Sequence, residues 1–427
     1  MKILYFHQHF TTPAGSGGTR SYEMARRLVL RGHQVTIVCG SRDRACTGLS
    51  GDSASGLRRG TVDGFEVLEI FLPYSNYDSL PKRGVTFIRF ALRSIAIAWK
   101  TEYDLLFATS TPLTVGLPGL VMKVLKPGKK FVFEVRDLWP ELPKAMGVVK
   151  NPLVLFGLTV LEKLTYMAMD AGIALSPGIR EGMRRKSARG KRIALISNGC
   201  DLDDFDRVKN DSQKGLAIDL PAGGLICAFT GAHGIANGLD AVLDAALVLM
   251  KKKRFDIQFI FIGEGVRKLH LKKRTEKEGL RNCTFYGLLP RMELFKILSH
   301  IDVGLMILDD VPAFYNGTCP NKLFDYIAAG LPVLTNYPGW IANMIEKYGC
   351  GKAVPPGNAT AFADALIEMA DNPEYRRRMG QNSRSLSESR FSRADLFEKF
   401  VTFLESVKGK RRPWHKPKRQ EKQGAVQ

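Results

Sequence analysis

The chain has 427 residues, 45% of them apolar and 25% charged, and its 63 Lys and Arg against 42 Asp and Glu give a net charge of +21. That length supports two domains with a core in each, and the composition excludes a fibrous or fully disordered polymer. No apolar run reaches the ~18–20 residues that cross a bilayer, while the positive excess points to an anionic partner: a phosphorylated substrate, an acidic lipid or a nucleic acid.

In chain order, a strand at 2–6 runs into a turn containing Gly15, Gly17 and Gly18, then a helix ending at Gly32-His33, then a strand at 34–38. Short β-branched or aromatic runs at 66–71, 104–108, 131–135, 171–175 and 192–196 alternate with helical stretches, which predicts a parallel sheet with helices on both faces. Within this unit, Gly84 to Lys100 carries no acid. Ile88, Leu92, Ile95 and Trp99 recur there at helical spacing beside Arg89, Arg93 and Lys100. Such a stripe fits a basic amphipathic helix lying on a membrane and equally a helix packed on its own sheet. Periodicity leaves both readings standing.

A polar, turn-rich stretch at 206–222 reads as a linker. The opening pattern then repeats: a strand at 225–229, a turn through Gly231 and Gly234, a helix bearing Leu239, Val242, Leu243 and Ala246, and a strand at 257–262. Further strands are expected at 283–286, 302–307 and 332–335. The reading is an α/β protein of two Rossmann-like, doubly wound domains facing across a cleft, at 1–205 and 223–390. A helix at 393–407, with Leu396, Phe397, Phe400, Val401 and Leu404 on one face, is expected to pack back on the first. Two glycine turns, each heading a helix, offer backbone N–H groups to a diphosphate. Gly15, Gly17 and Gly18 lack the Gly-x-Gly-x-x-Gly register, so a dinucleotide site is poorly supported.

Charge and cysteine usage narrow the surroundings. Residues 408–427 hold eight basic side chains against one Glu and no apolar period, which reads as a disordered tail suited to an anionic membrane surface. Lys251 to Arg281 is also basic but reads as a solvated helix face and loop. No nucleic acid is expected, since no helix-turn-helix, zinc finger or RNP-like strand accompanies the charge. The seven cysteines form no Cys-x-x-Cys, and several lie in apolar strands, so neither a zinc site nor a disulfide framework is indicated. With Met-Lys followed at once by a core strand, no signal peptide is expected. The expected location is cytoplasmic, peripheral on the inner face of the cell membrane.

A series of motifs then resembles one family. Gly17-Gly18 with Arg31-Gly32-His33, Ser197-Asn198-Gly199-Cys200-Asp201 with Phe205, Phe261-Ile262-Gly263-Glu264-Gly265, Thr284 to Pro290, and Phe324-Asp325 through Gly330-Leu331-Pro332 occur in that order. Together they resemble the family-four retaining glycosyltransferases of GT-B fold. A narrower pair, Val135 to Glu141 and Pro320 to Asp325, is similar to the fucosamine transferase-like subgroup of O-antigen, capsule and exopolysaccharide assembly. The resemblance implies a nucleotide-sugar donor (UDP, with an amino or deoxy sugar) and a polyprenyl-diphosphate-linked saccharide acceptor. It implies neither a cofactor nor a metal. It also implies retention, with attack and departure on one face, the donor phosphate helping to take the proton, and no enzyme nucleophile.

The site residues follow from the same resemblance. Gly17, Gly18, Gly234, His233, Asn237, Gly287, Leu288, Lys322 and Asp325 fall at donor-binding positions. Asp325 stands where the ribose-binding acid is found, and Gly317 where the sugar-contacting acid is found, so that acid is missing. His233 and Asn237 occupy the stretch where relatives carry an Arg and Lys pair, leaving Lys322 and helix N-termini to neutralise the leaving diphosphate. Arg136 and Asp137, the expected catalytic residues, follow a strand's carboxyl end, where relatives place a group near the reacting sugar. Asp137 is read either as a helix cap or as the acceptor-side catalytic residue, with Glu141 expected to bind Arg136. Trp139 is either core or a sugar platform, and Lys322 either a surface lysine or a phosphate ligand. Two other readings of the whole chain remain: a nucleotide-sugar epimerase on the same fold, and a non-catalytic sugar-nucleotide binding protein.

Overall fold

The computed structural model describes residues 1–15, 17–41, 46–50, 56–75, 77–210 and 215–409. The basic tail expected at 408–427 therefore lies outside the described residues except for Lys408 and Gly409.

Eight strands build the first sheet: β1 (Lys2–Phe6), β2 (Gln34–Gly40), β3 (Leu57–Val62), β4 (Phe65–Ile70), β5 (Leu105–Thr109), β6 (Lys130–Val135), β7 (Ala171–Ala174) and β8 (Arg192–Leu195), in the order β3-β4-β2-β1-β5-β6-β7-β8. Six build the second: β9 (Leu225–Thr230), β10 (Ile257–Ile262), β11 (Cys283–Tyr286), β12 (Val303–Met306), β13 (Val333–Thr335) and β14 (Gly351–Ala353), in the order β11-β10-β9-β12-β13-β14. All pairings are parallel except β3 with β4. Central strands read as unbroken apolar runs because helices bury both faces: β5 is buried at all five positions and β9 at all six. The two Rossmann-like sheets face one another across a cleft, the arrangement the sequence predicts.

Strand β3 was not expected. Its sequence, Leu-Arg-Arg-Gly-Thr-Val, alternates exposed and half-buried positions at the sheet edge, where charge is tolerated because one face meets water. Asp63 and Gly64, with φ of 44° and 86°, form the two-residue turn between the paired Val62 and Phe65, and an Asp-Gly turn of this kind is a hairpin signal in its own right. The expected linker also shifts, since residues 206–210 belong to a helix at Leu202–Asn210.

The chain crosses between the sheets twice, side by side. Cys200 donates its N–H to Phe391 O at 2.7 Å, and Arg393 donates its own to Cys200 O at 3.1 Å. Beyond the second crossing, the helix Arg393–Val407 buries Leu396, Phe397, Phe400, Val401 and Leu404 against Leu28, Tyr5 and Phe107 of the first sheet's core. Phe400 meets the Phe107 ring edge-on at 5.2 Å, the geometry that the ring quadrupoles favour.

Helix Leu80–Lys100 turns its small and aromatic positions inward: Thr86, Phe90, Ala91, Ser94 and Ala98 are buried. The stripe singled out in the sequence mostly points the other way: Ile88, Leu92 and Trp99 are each more than half exposed, while Ile95 is half-buried against the core. It is not a core stripe. Helix Leu117–Leu125 packs beside it, and helix Pro152–Ala168 packs beside that. These neighbours leave Val124, Leu153, Phe156, Leu164 and Met167 exposed as well. More than half of the large apolar side chains exposed among the described residues lie on these three helices.

Candidate active site

The donor half is organised by the carboxyl end of β9. Beyond Thr230 the chain turns at Gly231, whose φ of 121° suits glycine, with Lys322 alongside, its Cε 3.5 Å from where a Cβ would stand. Lys322 stands in the first turn of helix Asn321–Ala328. Its Nζ donates to Asn237 Oδ1 at 3.1 Å and sits 3.6 Å from the centre of the Phe229 ring. Asn237 in turn donates from Nδ2 to Ala232 O at 2.8 Å, closing the turn through Gly234. Desolvation holds the Lys322 ammonium well below the ordinary lysine pKa, and among the described residues no acidic side chain pairs with it. Exposed Gly17 and Gly18 approach from the other domain, where a Cβ on Gly18 would stand 2.9 Å from Asn321 Nδ2.

His233 does not join this cluster. Its ring is fully buried among Phe229, Phe261 and Phe285, with both nitrogens unpaired. Burial, and the nearby Lys268 charge, pull its pKa down to about 4, so the ring is neutral. The expectation that its side chain binds the donor is corrected: the apolar cage keeps it from the cleft, and its backbone N–H is spent on Glu264 O at 2.9 Å. Gly287 and Leu288 lie exposed at the end of β11. That turn is fixed by Lys268, which sequence reasoning passed over as solvated surface. Its Nζ donates to Gly263 O, Glu264 Oε1 and Tyr286 O at 2.7–2.9 Å.

Asp325 is 7% exposed. Its Oδ1 accepts from Arg291 Nη2 at 3.2 Å, and Arg291 and Arg393 both bond Asp201 at the domain crossing. Burial raises the Asp325 pKa against the opposing pull of the two arginines. Arg291 thus engages one oxygen of the carboxylate.

On the acceptor side, Arg136 and Asp137 part company. Arg136 turns back over the first sheet, donating from Nε to Thr109 Oγ1 and from Nη2 to Ser21 Oγ, both at 2.9 Å. Below it lies a buried pair absent from the sequence reading. Arg20 Nη2 meets Glu134 Oε2 at 2.8 Å, with both side chains at most 5% exposed; Nη2 also donates to the Ile196 carbonyl and Nη1 to that of Ser197. Glu141 does not bind Arg136 as expected. Its partner is Lys186, at 2.6 Å, because the intervening Pro140 carries it onto the next helix.

Nor does Asp137 cap that helix, which starts at Glu141 with Pro140 in the cap position. Instead the Asp137 carboxylate accepts from Thr111 Oγ1 at 3.3 Å, and burial raises its pKa. It faces a cavity of about 850 Å³ that Trp139 also lines. Asp137 is near enough to Cys319, in the segment leading to Lys322, to influence it electrostatically. The domains touch here: Ser176 Oγ donates to Asn316 O, and Asn198 Nδ2 to Cys319 O, each at 2.7 Å. Gly317, where an acid was missed, has open space where a side chain would stand.

Two α/β sheets, with glycine turns and an unpaired ammonium meeting at their carboxyl ends, define the GT-B class of nucleotide-sugar proteins. Residues 15–199 match the family model described as "Glycosyl transferase 4-like domain", and residues 218–386 that of "Glycosyl transferases group 1". The chain belongs to the GT-B glycosyltransferases of the family-four type. It is 24% identical to the O-antigen chain mannosyltransferase C of Escherichia coli, over 58% of this chain and 64% of that one. It is 25% identical to the alpha-D-kanosaminyltransferase of Streptomyces kanamyceticus, over 52% and 56%. The chain thus spans less than two thirds of the length of these two relatives. A solved structure described as "Trehalose-6-phosphate from E. coli bound with UDP-2-fluoro glucose" superposes with a TM-score of 0.70 at 14% identity, over 96% of this chain and 99% of that chain.

Proposed function

We propose that the protein moves a sugar, with retention, from a UDP-linked donor to a polyprenyl-diphosphate-linked saccharide at an anionic membrane surface, in the assembly of a bacterial surface polysaccharide. One observation carries the donor half: Lys322, a desolvated ammonium with no acidic partner, beside two glycine turns. A buried cation without a counter-charge is costly, and a diphosphate supplies the missing charge. Pro320-Asn321-Lys322 and the matching segment from Val135 favour an amino or deoxy sugar, as in the subgroup they resemble. The mannosyl- and kanosaminyl-transferring relatives are consistent with a sugar of that general size.

In the reaction so read, the acceptor hydroxyl attacks the anomeric carbon while the carbon–oxygen bond to the diphosphate breaks. The electron pair leaves with the nucleotide, where Lys322 and the backbone N–H groups of the turns stabilise it. The departing phosphate oxygen, on the same face, helps to take the proton. Asp137 accepts a hydrogen bond from the hydroxyl and orients it, while Arg136 is a positioning residue that braces the Asp137 loop. The exposed apolar helices, with Arg89, Arg93 and Lys100 among them, dock on the membrane.

Incubating the protein with lipid-linked saccharides and a panel of UDP-sugars tests this reading. Joint appearance of UDP and a lengthened lipid-linked product supports it. UDP release or an isomerised sugar without transfer favours the epimerase, and binding without turnover favours a sensor.

A further inference from the structure

The cavity beside Asp137 is larger than a hydroxyl needs. It opens between the N-terminal turns of helices Leu80–Lys100 and Pro152–Ala168, and its walls are hydrocarbon: Val85, Ile88, Trp139, Leu142, Met146 and Leu158. A monosaccharide would leave these walls without partners, since sugar sites pair apolar faces with many polar groups. Polar atoms are few and placed asymmetrically. Thr111 and Asp137 lie together at one part of the lining, and two cations, Arg83 and Lys150, also border the space. Among the described residues neither cation forms an ion pair within 4 Å: Arg83 feels Asp78 only at longer range, rests 5.7 Å from the centre of the Tyr74 ring and has its Nε buried with no hydrogen bond, and Lys150 is exposed.

An apolar chamber bordered by two cations is complementary to an amphiphile with an anionic head and a hydrocarbon tail. The same two helices carry the exposed apolar face, so the chamber opens at the edge of the surface assigned to the membrane.

We propose that this cavity receives the hydrocarbon chain of the acceptor lipid, a polyisoprenyl diphosphate, with the first isoprene units against Trp139, Leu142 and Met146 and the diphosphate at Arg83 and Lys150. The inference rests on the lipid-linked acceptor of the preceding section and adds that the protein itself, not the bilayer alone, holds the chain next to the head group. Lateral placement then follows: the saccharide beyond the diphosphate is delivered to Asp137.

Calorimetry with the full chain tests the cavity apart from catalysis, using geranylgeranyl diphosphate, farnesyl diphosphate, inorganic diphosphate and hexadecyl phosphate as probes. Geranylgeranyl diphosphate should bind about tenfold or more tighter than inorganic diphosphate, because even two buried methylenes give that factor, and farnesyl diphosphate should fall between. Met146→Trp, which fills the chamber, and Arg83→Gln should each weaken isoprenoid binding about tenfold while leaving UDP affinity intact as the control for folding. Equal affinity for inorganic and geranylgeranyl diphosphate in the unaltered protein overturns the proposal without any variant. Hexadecyl phosphate binding as tightly as the isoprenoid overturns the commitment to an isoprenoid. Chain-length-dependent binding in a protein that transfers no sugar to any lipid-linked saccharide would leave the cavity standing and sink the functional reading instead.

Discussion

Replacing Lys322 by Met separates a phosphate-binding lysine from a surface one. The Lys322 ammonium is desolvated, with a neutral amide at 3.1 Å and an aromatic face at 3.6 Å as its partners, so its folded pKa is depressed. The unfolded chain then binds the proton more readily than the folded one. Through this residue, stability rises with pH up to the unfolded lysine value of ~10.4. A diphosphate reverses the balance by favouring the charged form, and so binding should draw a proton from solution once the pH passes the folded pKa. Losing one charge-assisted contact costs about 1.5–3 kcal/mol, or roughly 10- to 150-fold in Kd for UDP. Titration calorimetry over a pH series, in buffers of different ionisation enthalpy, reads both quantities at once. The expected result is proton uptake in the unaltered protein, none in Lys322→Met, and a folded variant at least as stable as the parent. Identical Kd and identical proton uptake in the two proteins would refute the reasoning.

Asp137→Asn should lower kcat by about 100-fold, the scale expected when the attacking hydroxyl is no longer oriented. Because burial raises this carboxyl's pKa, activity should climb with pH as it ionises, and that acidic limb should vanish in the Asn variant. Glu134 is held low: burial alone would raise it, but Arg20 and Arg136 outweigh that penalty. Its contribution to stability is therefore present above the unfolded carboxyl pKa and lost as pH falls through the lower folded value. Glu134→Gln strands the Arg20 charge and should cost about 3–5 kcal/mol in urea unfolding. Paired substitutions Leu92→Glu and Phe156→Glu, both at exposed positions, should abolish sedimentation with anionic vesicles and leave the melting temperature unchanged. Retained sedimentation would remove that face from the membrane.

Much of the architecture could be read without coordinates because parallel strands buried on both faces announce themselves as apolar runs between turns. The edge strand β3 escaped because its arginines look like loop, although Asp63-Gly64 marked the hairpin. Helix Pro152–Ala168 escaped for the opposite reason. It is apolar nearly all round, so periodicity says nothing about which side meets solvent, and only its neighbours decide. The donor site was partly legible, since Lys322 and the glycine turns lie in ordered motifs. Its supports were not: Arg20 and Glu134 are 114 residues apart, and nothing in either neighbourhood predicts that they meet. His233 misled because a histidine in a glycine turn resembles a ligand on paper, whereas three phenylalanines from neighbouring strands enclose it in space.

The double passage of the chain beside Cys200 and Arg393 bears on how this molecule can be dissected. Its front lobe is not a contiguous stretch of polypeptide, because the final helix supplies five of that lobe's buried side chains. A fragment cut anywhere near residue 206 would carry an unsealed wall, and its counterpart would drag along a greasy helix with nothing to lean on. Gene fusions, split reporters and crystallisation fragments of this protein should therefore keep both ends together, or graft the last helix back behind the first half.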